Sequence, residues 1–130
     1  MKKIFLTLIL MITVLYLRSQ NVNNLLIPDE ADQLVNPYTN DTKAPLRGAR
    51  VYKKVCWTCH GDNGSGTGPQ AAEIETKPAN FKDPLVAGRS DGALFWWISN
   101  GGSDMQAFKD ALTEDEIWDL VMYIRKVQND

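Results

Sequence analysis

The stretch that most constrains this chain is Cys56-Trp57-Thr58-Cys59-His60, which holds the only two cysteines and the only histidine among 130 residues. Two thiols three residues apart can each add to one vinyl group of a single haem. The histidine that follows then falls beneath the iron as its proximal ligand. Other uses of the same residues fit poorly. A tetrahedral zinc site needs four protein ligands, and a Cys-Cys-His set is one short. A disulfide framework has no need of the histidine, and a thioredoxin-like redox pair expects a βαβ setting that the sequence does not show. Cys56 and Cys59 are therefore expected to carry one covalently attached haem c, with His60 on its iron. A domain of about 85 residues is also marginal on its own, and a porphyrin at its centre would supply the missing apolar contact.

The length allows one domain. Residues 1–19 read as a signal peptide or an uncleaved N-terminal anchor: Lys2 and Lys3 precede an apolar run from Ile4 to Leu17 that only Thr7 and Thr13 interrupt. That run is short for a membrane span, which takes about 20 residues, and Leu17-Arg18-Ser19 makes a poor cleavage site. Either way the chain is expected to leave the cytoplasm, periplasmic or otherwise extracytoplasmic and open to membrane tethering. Residues 20–44 read as a tether. They are rich in asparagine and acid, with Leu25-Leu26-Ile27 and Leu34-Val35 breaking the polarity in a way that would let the tether dock locally; disorder is the expectation set against that docking. Residues 45–130 form the domain. Without Lys2, Lys3 and Arg18 the fourteen basic residues fall to eleven against sixteen acidic ones, a formal charge of −5. That acidity argues against nucleic acid as a partner.

The domain reads as all-α. A helix is expected from Pro45, with Gly48, Val51, Tyr52 and Val55 at helical spacing and Arg47, Arg50, Lys53 and Lys54 opposite as a basic face. The loop Gly61 to Pro69 follows His60. It has too many glycines for a regular element and lacks the lysine and preceding strand of a phosphate cradle, so it reads as backbone wrapped closely round a bulky cofactor. Ser90 caps an expected helix over Asp91–Ser99 that Asn100-Gly101-Gly102 stops. Thr113 and Glu116 form a capping box that opens a last helix to about Gln128, with Ile117, Leu120, Val121 and Ile124 on one face.

The sixth position of the iron needs a ligand, and there is no second histidine. Two methionines lie beyond residue 19. Met122 sits inside the last helix, where a thioether is usually filler. Met105 sits in a glycine-led loop that can bend a sulfur onto the iron. Here the chain resembles the class I cytochrome c family. The match runs through Gly48 and Tyr52, Cys56 to Gly61, the Gly64 to Pro69 loop, Asn100-Gly101, Met105 to Phe108, and Leu120 with Tyr123. The resemblance implies a helical bundle of three to five helices wrapped around one haem. It implies His60 and Met105 as axial ligands, and a crossing at which Gly48 and Tyr52 meet Leu120 and Tyr123. A backbone carbonyl should hold the proximal ring nitrogen; Pro69 and Pro78 are the two candidates. Gln106 departs from the pattern, since many relatives have proline after the methionine.

The implied function is electron transfer in a respiratory or dehydrogenase chain, between protein donors and acceptors, with no catalysis by the domain itself. The alternative is a haem with an open or labile sixth site acting as a peroxidase or gas-binding module, for which no distal histidine is available. Each thioether needs its own sulfur, so Cys56→Ala and Cys59→Ala should each keep one bond. The double variant should keep no covalent haem on denaturing electrophoresis followed by haem-peroxidase staining. Persistent stain in the double variant would rule out attachment at this motif.

Overall fold

The computed structural model describes residues 27–102 and 104–130. The stretch 1–19 lies outside the described residues. Among the described residues there are five α-helices: α1 Ala44–Val55, α2 Trp57–His60, α3 Pro84–Ala87, α4 Asp91–Asn100 and α5 Glu114–Asn129. No strand is formed among the described residues; Gly102 and Met105 make an isolated antiparallel bridge. None of the described helices is long and apolar enough to cross a membrane.

Local chemistry explains where the long helices begin and end. α1 has Pro45 in its first turn and Lys53 and Lys54 in its last, where positive charge suits the carbonyl end of the helix. α4 starts at Ser90, whose side chain accepts from the Ala93 N–H at 3.0 Å, and stops at Gly101. α5 opens with the capping box, Glu116 N–H to Thr113 Oγ1 at 3.2 Å and Thr113 N–H to Glu116 Oε2 at 3.0 Å.

The frame of the molecule is the crossing of α1 and α5. Gly48 lies against the backbone carbonyl of Asp119 and the Cβ of Tyr123, so close that any side chain at Gly48 would collide with the carbonyl. One turn on, the Tyr52 and Tyr123 rings lie 4.9 Å apart between centroids. Below them Tyr52, Ile117, Leu120 and Val121 are the largest fully buried side chains. α4 completes the core with Leu94 and Ile98, and its Phe95 stacks on Trp118 of α5 at 4.1 Å.

Two features of the frame depart from the sequence reading. Arg47, read as part of a solvated basic face, turns onto the crossing and grips Asp119 with both arms, Nε to Oδ2 at 2.7 Å and Nη2 to Oδ1 at 2.6 Å. Asp119 is buried at 4 % exposure, and such a carboxylate needs its cation. A third contact, Arg47 to Asp41 at 2.9 Å, joins the segment before α1 to the same point.

The second departure concerns the tether. From residue 27 it is docked against the domain, where disorder was expected. Asp29–Gln33 form a 3-10 turn whose Ala31 is buried, and the backbone of Ala31 and Leu34 lies on Gly92 of α4. Asn36 is also buried; its amide donates to Asp91 Oδ2 at 2.7 Å, while Asp91 Oδ1 accepts from Arg125 Nε at 2.7 Å.

The crossing makes a test at Gly48. Alanine in a helix interior normally gains about 1 kcal/mol over glycine. At this position Gly48→Ala should instead lose about 2 kcal/mol by overpacking, read as a lower midpoint in chemical denaturation. A stability gain would mean that the helices do not meet at this residue.

Candidate haem site

α1 runs straight into the attachment motif. Cys56 is the hinge between α1 and α2, and its N–H still donates to the Tyr52 carbonyl at 2.9 Å. The single turn of α2 then brings Cys59 and His60, three and four residues on, to the same side as Cys56. Both cysteines are free and half-buried, and burial pushes the Cys56 thiol up to about 12. No group of three or more His, Cys, Asp or Glu among the described residues could hold a metal ion by itself. The two thiols and the imidazole are thus not a converging chelate; they suit two covalent anchors and one axial ligand.

The glycine-rich loop is folded back on α2. Gly66 N–H donates to the His60 carbonyl at 2.9 Å, Gly68 N–H to Cys59 at 3.0 Å and Gln70 N–H to Thr58 at 2.8 Å, so the carbonyl end of the short helix is satisfied by the loop that follows it. The Tyr52 hydroxyl, kept protonated by burial, donates to the Gly61 carbonyl and ties the loop to the frame. Gly66 has φ 76° and lies against the Pro78 carbonyl, a conformation and a contact that a side chain would not tolerate.

His60 is oriented by a carbonyl, as the resemblance implies, but from a residue that sequence reasoning did not name. Its Nδ1 lies 3.1 Å from the Ala79 carbonyl, which corrects the choice between Pro69 and Pro78. Pro78 is spent on Gly66, and the next carbonyl along is the one that faces the ring. A carbonyl only accepts, so Nδ1 carries the proton and Nε2 keeps the lone pair for a metal. Burial lowers the His60 pKa, partly offset by this hydrogen bond, which favours the neutral imidazole that a metal needs. Phe81 lies beside it, ring centroids 5.0 Å apart, and its N–H donates to the Gly64 carbonyl at 2.8 Å.

Met105 is half-buried at the end of the tight turn after α4. Gly102 and Met105 exchange both backbone hydrogen bonds at 2.9 Å, and the Trp97 indole lies against Gly102. Beyond the turn, Phe108 and Lys109 N–H groups donate to the Ile98 and Ser99 carbonyls, each at 3.1 Å. Met122 is differently employed: its sulfur lies 3.2 Å from the Asn36 amide nitrogen that also serves Asp91. Among the aromatics, Phe81, Phe108 and Trp118 are buried in the core, while Trp57, Trp96 and Trp97 are half-buried. The donors, their protonation and their half-open setting fit one haem c.

The comparisons with known proteins agree. Residues 43–124 match the family described as Cytochrome C oxidase, cbb3-type, subunit III. The chain belongs to the class I cytochrome c family. The cytochrome is 30 % identical over 100 residues to the Cbb3-type cytochrome c oxidase subunit FixP of Azorhizobium caulinodans; the match takes in 75 % of this chain and 32 % of FixP. Among solved structures it resembles a chain of the Kuenenia stuttgartiensis reducing HAO-like protein complex. The TM-score is 0.64 at 31 % identity, over 70 % of this chain and 46 % of that one. It also resembles a solved c-type cytochrome with a TM-score of 0.54 at 30 % identity, over 62 % of this chain and 96 % of that one. The cytochrome therefore spans about a third of FixP and under half of the complex chain. The all-α fold agrees with that membership.

The basic face of α1 is smaller than the sequence implied. Arg47 pairs with the buried Asp119 and Lys53 with Asp62, which leaves Arg50 and Lys54 of that face outside these pairs.

Proposed function

We propose that this cytochrome carries single electrons on one haem c, held by Cys56 and Cys59 and ligated by His60 and Met105. It works outside the cytoplasm in a respiratory or dehydrogenase chain. The observation that carries this reading is the His60 Nδ1 to Ala79 hydrogen bond beside two free thiols, because it dedicates Nε2 to a metal and fixes the ring in one orientation. Met105 is favoured as the second ligand by elimination as well as by position. The Met122 sulfur already accepts from Asn36 in the docked N-terminal segment, and Met105 ends a turn fixed at both its flanks.

When bound, the haem supplies a reversible one-electron change at iron. The chain's own residues keep the rest constant. Ala79 holds the proton on Nδ1, so His60 does not gain or lose one during the cycle. The Met105 thioether would favour the reduced iron and raise the potential. Phe81, which lies beside the His60 ring, would give the cofactor an apolar neighbour. With His60 and Met105 both bound to it, the iron would serve electron transfer and not the binding of peroxide or a gas.

The relatives point to the setting. FixP is an oxidase subunit, and the solved relative is a chain of a HAO-like complex, so a place as the electron-carrying subunit of a larger oxidoreductase is the favoured role here. Protein donors and acceptors are its partners, and its acidic balance leaves no reason to bind nucleic acid. Residues 1–19 would export the chain or tether it to the membrane.

Met105→Ala should open the sixth position, lower the reduction potential and let the ferric protein take up cyanide. Met122→Leu should change little beyond modest stability. Redox titration with visible spectroscopy of both variants decides between them. The assignment fails if Met105→Ala keeps the sulfur-to-iron charge-transfer band of the parent.

A further inference from the structure

The segment between the glycine loop and α3 touches both sides of the iron site. At Thr76 its N–H donates to Asp104 Oδ2 at 2.5 Å, next to Met105. Three residues later its Ala79 carbonyl accepts from His60 Nδ1 at 3.1 Å. Pro78 stands between the two grips and fixes its own φ, while its carbonyl is seated on Gly66. Two residues beyond Ala79, Phe81 N–H fastens the segment to Gly64 at 2.8 Å. Residues 76–79 thus form a short strap, firmly held at its proximal end.

The distal loop has no equal restraint of its own. Among the described residues its other hydrogen bonds include the Gly102–Met105 pair and the Phe108 and Lys109 bonds back to α4. None of these reaches the proximal side. Among the described residues, Asp104 to Thr76 is the hydrogen bond that joins the Met105 loop to the segment holding His60. Gln106, directly after Met105, does not lock the backbone as a proline would. An ionised carboxylate accepting a backbone N–H makes a charge-assisted bond, stronger than a neutral one.

We propose that Asp104 is a positioning residue that holds Met105 over the iron by clasping the Thr76 N–H. The strap 76–79 thereby couples the distal ligand to the proximal one. The inference rests on Met105 being the sixth ligand. Its content is that the sulfur is held in place by a contact across the crevice, and not by the turn alone. Both Asp104 and Thr76 are exposed, so the clasp works in water and its effect is moderate.

The test uses the holoprotein and four variants: Asp104→Ala, Asp104→Asn, Asp110→Ala and Met105→Ala. Asp110 is an exposed acid of the same stretch and controls for loss of charge. In the Asp104→Ala protein the sulfur-to-iron band should weaken, the potential should fall, and ferric cyanide affinity should rise on the order of fivefold, the scale of one hydrogen bond to a charged group reduced by solvent. Asp104→Asn keeps an oxygen that can accept from Thr76 and should stay close to the parent, as should Asp110→Ala. The clasp is overturned if Asp104→Ala matches the parent while Met105→Ala loses the band. It is equally overturned if Asp104→Asn or Asp110→Ala behaves like Asp104→Ala, since charge alone would then be the cause. A band that survives Met105→Ala overturns the ligand assignment and the clasp with it.

Discussion

Everything in this domain hangs on the contact of two helices at Gly48. The missing side chain lets the α1 backbone rest on the Asp119 carbonyl, and at that distance the residues on either side fall into fixed places. Arg47 reaches the Asp119 carboxylate with two nitrogens, and Tyr52 slides under Tyr123 with its hydroxyl aimed at Gly61. One turn further, α1 delivers Cys56. The position of the attachment motif is therefore inherited from a helix crossing, and the crossing is stabilised by burial of Ile117, Leu120 and Val121 and not by the site itself.

From that fixed start the chain builds a proximal wall out of backbone. The loop after His60 caps the carbonyls of α2, the Ala79 carbonyl sets the ring, and Phe81 closes beside it. The distal wall is built otherwise: the Gly102–Met105 bridge, one indole packed against Gly102, and a carboxylate reaching across to Thr76. A carrier needs both walls to stay put while the iron changes charge. The proximal wall is fixed by many short-range bonds, and the distal one by few.

Much of this was legible in the sequence, for physical reasons that differ by residue. Helix ends were readable because capping is local: Ser90, Thr113 with Glu116, and Pro45 act within one turn of themselves. Cys56, Cys59 and His60 stood out as candidates because covalent haem attachment, as proposed, demands a fixed spacing. Ala79 was not, because a backbone carbonyl carries no side-chain signature and its aim is set by Pro78 resting on Gly66, twelve positions earlier. Asp119 carries no mark of its own in the sequence; only the crossing shows that it is buried and that Arg47 must answer it. The docking of residues 27–43 escaped for a similar reason, since Ala31 and Asn36 are buried in a segment too polar to announce a core. Asp104 and Thr76 are 28 positions apart in two loops, and no local rule joins them.

The central claim is that one imidazole and one thioether fill both axial positions of a single haem. Near-infrared magnetic circular dichroism of the oxidised, unmutated holoprotein reads axial ligands directly, without substitutions that could disturb the fold. A low-spin iron with the histidine–methionine charge-transfer energy is expected at neutral pH, unchanged by added cyanide at low concentration. A high-spin iron with water or nothing in the sixth position would contradict it, and would make the domain a site for small ligands in place of a carrier.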